Sequence, residues 1–256
     1  MIRNNSYLKL AAVFSMILLG SCQKLLDFFP TQSPAGYRIK SITYGTNPSG
    51  TSTATFYYNK WNNPDSVIFT NVGTGQPNFL FFYNKKKEIR EIKESYRNGN
   101  YEMWHRLGLN NKGQIIVDTI YVFGNLNEDP EPANFYYKRI ERLEYDSYGR
   151  VIKITSESVV PVYPSSTNTF NYGSDGNLIV PFSMPVYDNY RNPLTLHPLW
   201  QFIEKNYSLN NPMAAVSYNS YRLPLQFNFV YTSSEGRFPF FSGRNLDQSF
   251  ISYEMK

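Results

Sequence analysis

The sequence predicts a mainly β protein, an antiparallel meander of repeated β-hairpins in an open or partly closed sheet, with one short helical insert. The chain of 256 residues is 17% aromatic, with 22 Tyr and 19 Phe, and aromatic residues are enriched in strands. A unit made of an aromatic residue, a polar turn and a glycine also recurs along it. The formal net charge of +5 is too small to indicate a nucleic-acid-binding protein.

The N-terminal segment 1–21 has the composition of a secretory signal peptide. Arg3 and Lys9 precede an apolar run from Leu10 to Gly20, which only Ser15 interrupts. Such a run is too short to span the hydrocarbon core of a bilayer, which needs about 20 residues. A charged start followed by a short apolar run predicts a segment that is removed after export.

The single cysteine of the chain, Cys22, directly follows this apolar run. Together with Leu19, Gly20 and Ser21 it forms a tetrapeptide that resembles a bacterial lipobox. The resemblance implies lipid attachment to the Cys22 sulfur and cleavage after Ser21. A lone cysteine in an exported chain has no internal disulfide partner, and the alternative is a secretory signal followed by an incidental free thiol.

Residues 22–36 are predicted to be a tether between the lipidated cysteine and the first strand. The segment contains Pro30, Pro34 and Gly36, which favour turns and linkers. Acidic clusters after the cysteine resemble surface-export signals in some lipoproteins, and here only Asp27 is acidic. We therefore expect an outer-membrane protein that faces the periplasm, and surface exposure stays open.

Residues 37–256 are predicted to form a single domain of repeated hairpins. In the clearest unit, Tyr145 is followed by a polar turn that ends at Gly149, and apolar alternation resumes at Val151. Glycine supplies the positive φ that closes a short hairpin loop, and the aromatic ring should pack across the strand pair. The units start at positions 58, 83, 109, 145, 172, 218 and 231. Roughly ten to fourteen strands follow from typical strand and loop lengths.

Two segments of this domain resemble those of a known family. Tyr145–Ile154 resembles a YD repeat, the hairpin unit of Rhs-type β-shell proteins. The stretch Tyr187–Pro193 (YDNYRNP) precedes a short apolar helix and an Asn-rich turn at Asn210–Pro212. With the lipobox, the chain resembles a family of Bacteroidetes lipoproteins of unknown function built from degenerate YD-like hairpins. The resemblance implies the fold but no activity, and units without the glycine leave open whether the sheet closes.

The helical insert interrupts the rhythm of the hairpins. Leu199, Phe202 and Ile203 have the spacing of one helix face, and Pro198 suits a first helical turn. We predict a short helix near 198–206. It should cover one end or one face of the sheet, because an open antiparallel sheet must bury its apolar face.

Recognisable catalytic and metal-binding motifs do not occur in the sequence. The two histidines, His105 and His197, lie in unrelated contexts, with no carboxylate at ligand spacing beside either. Asp146 and Asp175 occupy predicted loops, where Asp is a common turn former, although paired carboxylates also serve glycoside hydrolases. We expect no catalysis, no cofactor and no metal, and a Ser–His–Asp triad assembled in space stays open.

Two charged loops each allow a functional and a simpler interpretation. The loop Asn125–Glu131 groups three acids whose oxygens suit calcium, and a solvated loop is the simpler interpretation. Lys85, Lys86 and Lys87 could meet lipid phosphates at an anionic surface, and a solubilising turn is the simpler one.

Aromatic side chains are the remaining candidates for ligand contact, because rings stack on sugar faces. Trp61 lies in a predicted loop, and Trp104 in a predicted strand. We predict a lipid-anchored cell-envelope protein with a non-catalytic binding or scaffolding domain. Trp61 and Trp104 are the candidate contacts to a glycan or an envelope protein. The alternative is an envelope glycan-binding protein or a glycan hydrolase.

Overall fold

The computed structural model describes residues 36–47, 50–131, 137–179, 187–211, 215–227 and 248–256. The predicted signal peptide, Cys22 and the unit at Tyr231 lie outside these ranges. Within them the fold is mainly β, as predicted, with 13 strands in one antiparallel sheet and two more in a separate hairpin. The main sheet therefore has a strand number within the predicted ten to fourteen.

The strands follow one another along the chain as a meander. Their bounds are β1 Tyr37–Asn47, β2 Gly50–Tyr58, β3 Pro64–Phe69, β4 Asn78–Tyr83, β5 Ile89–Ser95, β6 Asn100–Leu109, β7 Ile115–Asn125, β8 Lys138–Tyr145, β9 Val151–Val160, β10 Tyr163–Thr169, β11 Asn171–Tyr172, β12 Leu178–Ile179, β13 Ser217–Tyr218, β14 Pro224–Phe227 and β15 Ser249–Met255. The main sheet has the order β10-β9-β8-β7-β6-β5-β4-β3-β2-β1-β15-β14-β13, and β11 pairs with β12. Because β15 returns to pair with β1 while β10 and β13 form the two edges, the sheet is open.

Six hairpin loops of the described chain share one conformation. Each has five residues, and they span 59–63, 84–88, 110–114, 146–150, 173–177 and 219–223. The fourth loop residue always has a positive φ. In three loops this residue is glycine, and in the others it is Asn62, Lys87 or Arg222. The units that lack the glycine therefore keep the same turn.

The first residue of the loop holds the turn closed. The oxygen Oδ1 of Asp146 accepts hydrogen bonds from the backbone N–H groups of Tyr148 and Arg150, both at 2.9 Å. The same pair of bonds forms in four other loops, at Asn59, Asn84, Asn110 and Asn219. In the sixth loop this position is Gly173. An Asn or Asp side chain thus supplies backbone partners that the tight turn cannot supply itself.

A β-bulge follows each of the five loops in the main sheet. The pairing register shifts by one residue directly after the first residue of the new strand, at Pro64, Ile89, Ile115, Val151 and Pro224. A bulge bends its strand and increases the local twist. The bulge recurs at the same end of each of these hairpins.

In four of the six loops, the tyrosine before the loop joins its hairpin to an earlier strand. Tyr145 lies opposite Val151 across its own loop, and its hydroxyl donates to the carbonyl oxygen of Ile115 at 2.7 Å. Five more tyrosine hydroxyls donate to a carbonyl near the start of an earlier strand: Tyr58 to Ile39, Tyr83 to Pro64, Tyr172 to Val151, Tyr187 to Leu178 and Tyr253 to Pro224. The position before loop 110–114 is Leu109, which has no hydroxyl, and Tyr218 before loop 219–223 donates to Asp188 instead.

A short helix is inserted where the sequence predicts it. A 3₁₀ turn, Pro193–Leu196, leads into α1, Pro198–Glu204, within the predicted range 198–206. The side chain of His197 caps the helix, because its Nδ1 accepts a hydrogen bond from the backbone N–H of Leu199 at 3.2 Å. Burial lowers the pKa of His197 to about 4, so the ring is neutral at pH 7 and has the lone pair that this bond requires.

Helix α1 covers one face of the sheet, as predicted. Its Trp200 is 1% exposed and meets Phe56 and Phe81 edge-on, with ring centroids 5.2 and 5.7 Å apart. Leu199 and Phe202, whose spacing predicts the buried face of the helix, are both buried. The insert therefore supplies the second layer that a single open sheet needs for a core.

The positive φ of the loops can be tested by a pair of substitutions. We expect Gly149→Val to lower the free energy of unfolding by about 1–3 kcal/mol, because a β-branched residue is strained at a positive φ. Lys87→Gly at the same loop position is the matched control, and it should cause no loss because it relieves a φ of 65°. Urea unfolding measures both changes. Equal stability of Gly149→Val and the wild type would contradict the shared loop conformation.

The hydroxyl bond between hairpins can be tested separately from ring packing. Tyr145→Phe keeps the ring and removes the donor to Ile115, so we expect a loss of about 1 kcal/mol in the free energy of unfolding. Tyr57→Phe, at a side chain that is 51% exposed on β2, should leave stability unchanged. Thermal unfolding followed by circular dichroism compares the two variants. The same Tm for both would show that the hydroxyl bond does not stabilise the sheet.

Candidate functional site

The two candidate tryptophans lie on separate surfaces. Trp61 is the central residue of loop 59–63 at one end of the sheet, and it is 43% exposed. Trp104 lies within β6 and is 6% exposed. Because β4 and β5 stand between that loop and β6, the structure does not bring the two rings into one groove.

Trp61 is flanked by lysines from two hairpins. The Nζ atoms of Lys60 and Lys87 lie 5.0 and 5.4 Å from the ring centroid. Lys87 belongs to the next loop along the sheet, so the two loops share one cation–π arrangement. The backbone N–H of Trp61 donates to Oδ1 of Asn59 at 2.9 Å, which fixes the loop while the ring stays exposed.

Trp104 belongs to a row of cations and aromatic rings across β5 to β8. Lys93 Nζ lies 3.3 Å from the Trp104 ring centroid, and the Arg106 guanidinium lies 5.5 Å from it. Arg106 and Lys138 also lie over the ring of Tyr121, at 5.6 and 5.4 Å. This chain's own cations thus cover the face of the Trp104 ring, and a sugar would have to displace Lys93 in order to stack on it.

The acids of the loop 125–131 take part in the same row. Asp129 Oδ1 pairs with Arg106 Nη2 at 2.8 Å. Glu131 pairs with Lys138 Nζ. Two of the three acids in this loop are therefore in ion pairs with strand cations. In the ranges that the structure describes, no three His, Cys, Asp or Glu side chains are arranged to hold a metal ion.

The opposite face of β6 carries a buried ionic cluster that sequence spacing did not reveal. Because side chains alternate along a strand, His105 points away from the side of Trp104. His105 Nδ1 lies 2.9 Å from Asp118 Oδ2, and its Nε2 lies 3.4 Å from Glu94 Oε1. The two carboxylates come from the neighbouring strands β7 and β5, so the signal for them is the strand register.

The protonation of His105 follows from these partners. Burial lowers the pKa of His105, but the charge of Asp118 and hydrogen bonds to Asp118 and Glu94 outweigh it and raise the pKa to about 10. Burial raises the pKa of Asp118, but the charges of His105, Lys205 and Arg139 outweigh it and lower that pKa overall. A protonated ring that donates from both nitrogens has no lone pair for a general base. His105, Asp118 and Glu94 therefore hold β5, β6 and β7 together at neutral pH.

The ionic cluster also connects the sheet to the helical insert. Glu141 on β8 is 4% exposed. Its carboxylate lies 3.2 Å from Arg139 Nη2 and 3.8 Å from Lys205 Nζ. Lys205 is the residue that ends α1, so these charges fix the end of the helix over β8.

The stretch Tyr187–Pro193 forms the frame of the insert. The carboxylate of Asp188 accepts hydrogen bonds from Asn211 Nδ2 at 2.9 Å and from the Tyr218 hydroxyl. The side chain of Asn192 caps the 3₁₀ turn. These residues therefore join the start of the insert to the segment that follows it.

The predicted lipobox residues Leu19, Gly20, Ser21 and Cys22 lie outside the described ranges, so lipid attachment stays a prediction. No helix within the described ranges is both long enough and apolar enough to cross a membrane.

Comparison with known proteins adds little about function. No protein-family profile matches the chain, and no curated protein matches it. Nineteen chains of solved structures match. One is the crystal structure of TcdB2-TccC3, with 14% sequence identity and a TM-score of 0.30 over 82% of this chain. This chain spans 11% of the length of that chain, and the low TM-score does not establish a shared fold.

The buried ion pair of His105 and Asp118 predicts that the free energy of unfolding depends on pH. We expect His105→Gln to lower the free energy of unfolding by about 3 kcal/mol at pH 6, because it leaves the Asp118 carboxylate buried without this cation. When folding raises the pKa of a group, its stabilisation of the folded state is fully present below the pKa of the unfolded state, which is about 6.5 for histidine. That stabilisation is lost as the pH rises through the folded value of about 10. The difference from wild type should therefore shrink between pH 6 and pH 9.

Urea unfolding at the two pH values measures this difference. Lys153→Gln is the control, because it removes an exposed ion pair with Glu144 and should cause a small loss at both pH values. A loss for His105→Gln that does not change with pH would contradict the protonated state of the ring.

Proposed function

We propose that this chain is a lipid-anchored cell-envelope protein whose hairpin domain is a non-catalytic binding or scaffolding module. The observation that supports this proposal best is that helix α1 fills the face of the sheet that it covers, which we call the inner face. Trp200, Leu199 and Phe202 of the chain's own insert are buried in one core with the side chains of that face, so they leave little of it open to a ligand. In the part of the chain that the structure describes, the outer face and the loops are then open to partners.

The buried charges support the same proposal. His105, Asp118 and Glu141 are engaged with one another or with Arg139 and Lys205. Ion pairs that link three strands and a helix stabilise a particular arrangement of elements, which is a structural use. The proposed partner is an envelope protein or a glycan, and nucleic acid is not among the proposed partners.

The proposed location rests on the N-terminal sequence. The apolar run up to Gly20 and the single cysteine at Cys22 support export and lipid attachment. The resemblance to Bacteroidetes lipoproteins with YD-like hairpins supports an outer-membrane location, with the domain in the periplasm. Acyl chains contribute about 0.8 kcal/mol for each buried CH₂ group, so more than one chain gives a stable anchor.

Glycan binding or glycan hydrolysis is the alternative function. Trp61 supports binding, because its ring is 43% exposed in a fixed loop. For hydrolysis, Asp146 and Asp175 are the candidate carboxylates. Asp146 binds two backbone N–H groups and Arg150, and Asp175 binds Asn177. Both arrangements support turn formation over acid–base chemistry.

The lipid anchor is tested by Cys22→Ser. We expect the wild type to fractionate with membranes and to incorporate a fatty-acid probe, and the variant to lose the probe and to leave the washed membrane fraction. Ser21→Ala is the control, since a small residue is kept before the cysteine and labelling should persist. Labelling that survives in Cys22→Ser would contradict lipidation at this residue.

A further inference from the structure

One end of the main sheet collects five of the repeated loops. In an antiparallel meander, alternate connections lie at the same end of the strands. Loops 59–63, 84–88, 110–114, 146–150 and 219–223 are connections of this kind. We call this end of the sheet the loop edge. From β2 to β9 successive hairpins are two strands apart, so these four loops are spaced roughly 10 Å apart. The loop 219–223 lies beyond β1 and β15.

The loop edge is rich in cations and exposed aromatic rings. The second to fourth residues of its five loops include no acid and six cations: Lys60, Lys85, Lys86, Lys87, Lys112 and Arg222. Three loops have an aromatic residue at their centre. These residues are Trp61, Tyr148 and Tyr221, which are 43%, 51% and 52% exposed. The cations and the rings thus point out from the same end of the sheet.

The acids near the loop edge reduce its positive charge only in part. Glu88 is in an ion pair with Arg90, at 2.7 Å. Asp146 is in an ion pair with Arg150, at 2.7 Å. Asp65, the second residue of β3, is exposed beside these loops, and Glu144 near the end of β8 is exposed and in an ion pair with Lys153. Two acids of the segment 125–131, Asp129 and Glu131, are in ion pairs with Arg106 and Lys138, so they do not neutralise the cations of the loop edge.

The chain enters the domain at the loop edge. β1 starts at Tyr37 and runs away from this edge, because Tyr37 is paired with Met255 at the end of β15. The Tyr37 ring centroid lies 4.5 Å from that of Tyr221. The Nη1 of Arg38, the next residue, donates to Oδ1 of Asn62 at 3.0 Å. A tether that precedes residue 36 is therefore connected to the domain beside the loops.

We propose that the loop edge lies against the anionic headgroups of the bilayer that holds the chain. This inference rests on the proposed lipid anchor at Cys22, which places the bilayer on the side where the tether joins the domain. Lysines near an anionic leaflet are attracted to its surface. Trp and Tyr rings favour the headgroup region, where one part of the ring is in an apolar environment and another is in water. The strands of the domain then extend away from the membrane surface.

Trp61 offers a direct measurement of this orientation. The chain has three tryptophans, and the other two, Trp104 and Trp200, are 6% and 1% exposed. The full lipidated chain is reconstituted into vesicles of phosphatidylcholine and brominated phosphatidylglycerol, whose bromine atoms quench nearby tryptophan. We expect at least about twofold more quenching in the wild type than in Trp61→Phe, since interfacial rings lie at headgroup depth.

The attraction between the lysines and the anionic lipids is tested with two double variants that change the charge of the chain equally. Lys85→Glu with Lys86→Glu should reduce the quenching, whereas Arg97→Glu with Lys138→Glu, at the opposite end of the sheet, should not. Raising the salt from 0.1 to 1 M shortens the screening length from about 10 to 3 Å and should also reduce it. Equal quenching in the wild type and Trp61→Phe, or the same loss in both double variants, would overturn the inference. A polysaccharide that changes Trp61 emission when no anionic lipid is present would do the same.

Flotation of the same vesicles separates this inference from the lipid anchor. A chain that floats without quenching at Trp61 would leave the anchor intact and overturn the orientation. If the chain does not float, its Cys22 thiol, the single thiol of the sequence, is coupled to a maleimide lipid and the quenching is measured again. Quenching at Trp61 then supports the membrane-facing edge without natural lipidation, and its absence overturns the proposal.

Discussion

The sheet depends on a bond between the hydroxyl of a tyrosine and the carbonyl oxygen at the start of an earlier strand. An isolated hairpin is marginally stable in water, so each hairpin needs its neighbour. The β-bulge that follows the first strand residue interrupts the ladder there, and a buried backbone carbonyl needs a donor. Tyr145 supplies that donor to Ile115, and Tyr172 supplies it to Val151. One tyrosine side chain thus packs across its own loop and also donates a hydrogen bond to the hairpin before it.

The same unit explains why the two ends of the sheet differ. Because every loop of the unit has the same length and the same positive φ, the loop edge is regular, and its central positions are free to vary. Asn59 and Asp146 fix their loops from the first position, which leaves Trp61 and Tyr148 exposed at the third. A rigid scaffold with variable loop tips is a common way for proteins to present binding residues. The membrane-facing role proposed for this edge needs no cleft, so it is compatible with an inner face that the insert fills.

The buried ionic cluster shows how the inner face accommodates charge beyond the helix. Asp118 and Glu141 lie opposite each other on β7 and β8, and two buried carboxylates side by side repel. His105, Arg139 and Lys205 lie beside these carboxylates. Such pairs add less to stability than apolar packing of the same volume, but removal of one partner is costly. The cluster therefore restricts which strands and which insert can assemble.

The sequence determined the repeat and the helix because their signals are local. Each of these signals acts within a few residues: an Asn or Asp at the start of a loop, a glycine four positions after an aromatic, and a proline at a helix start. They correctly predicted the positive φ of Gly149 and the start of the helix at Pro198. Even the units without glycine were found, since the aromatic and apolar positions around Lys87 keep the spacing.

The tertiary structure alone decided the site and the order of strands. Without the bulge after Ile115, Asp118 would lie opposite Arg106 on the outer face, since Leu109 pairs with Ile115. The bulge moves the register by one residue, turns Asp118 to the inner face, and brings it to His105. The return of β15 to β1 likewise joins residues far apart in the chain. The cover of Trp104 by Lys93 depends on the register of β5 and β6. A one-residue change of register reverses every side chain of a strand, which is why such contacts could not be read from spacing.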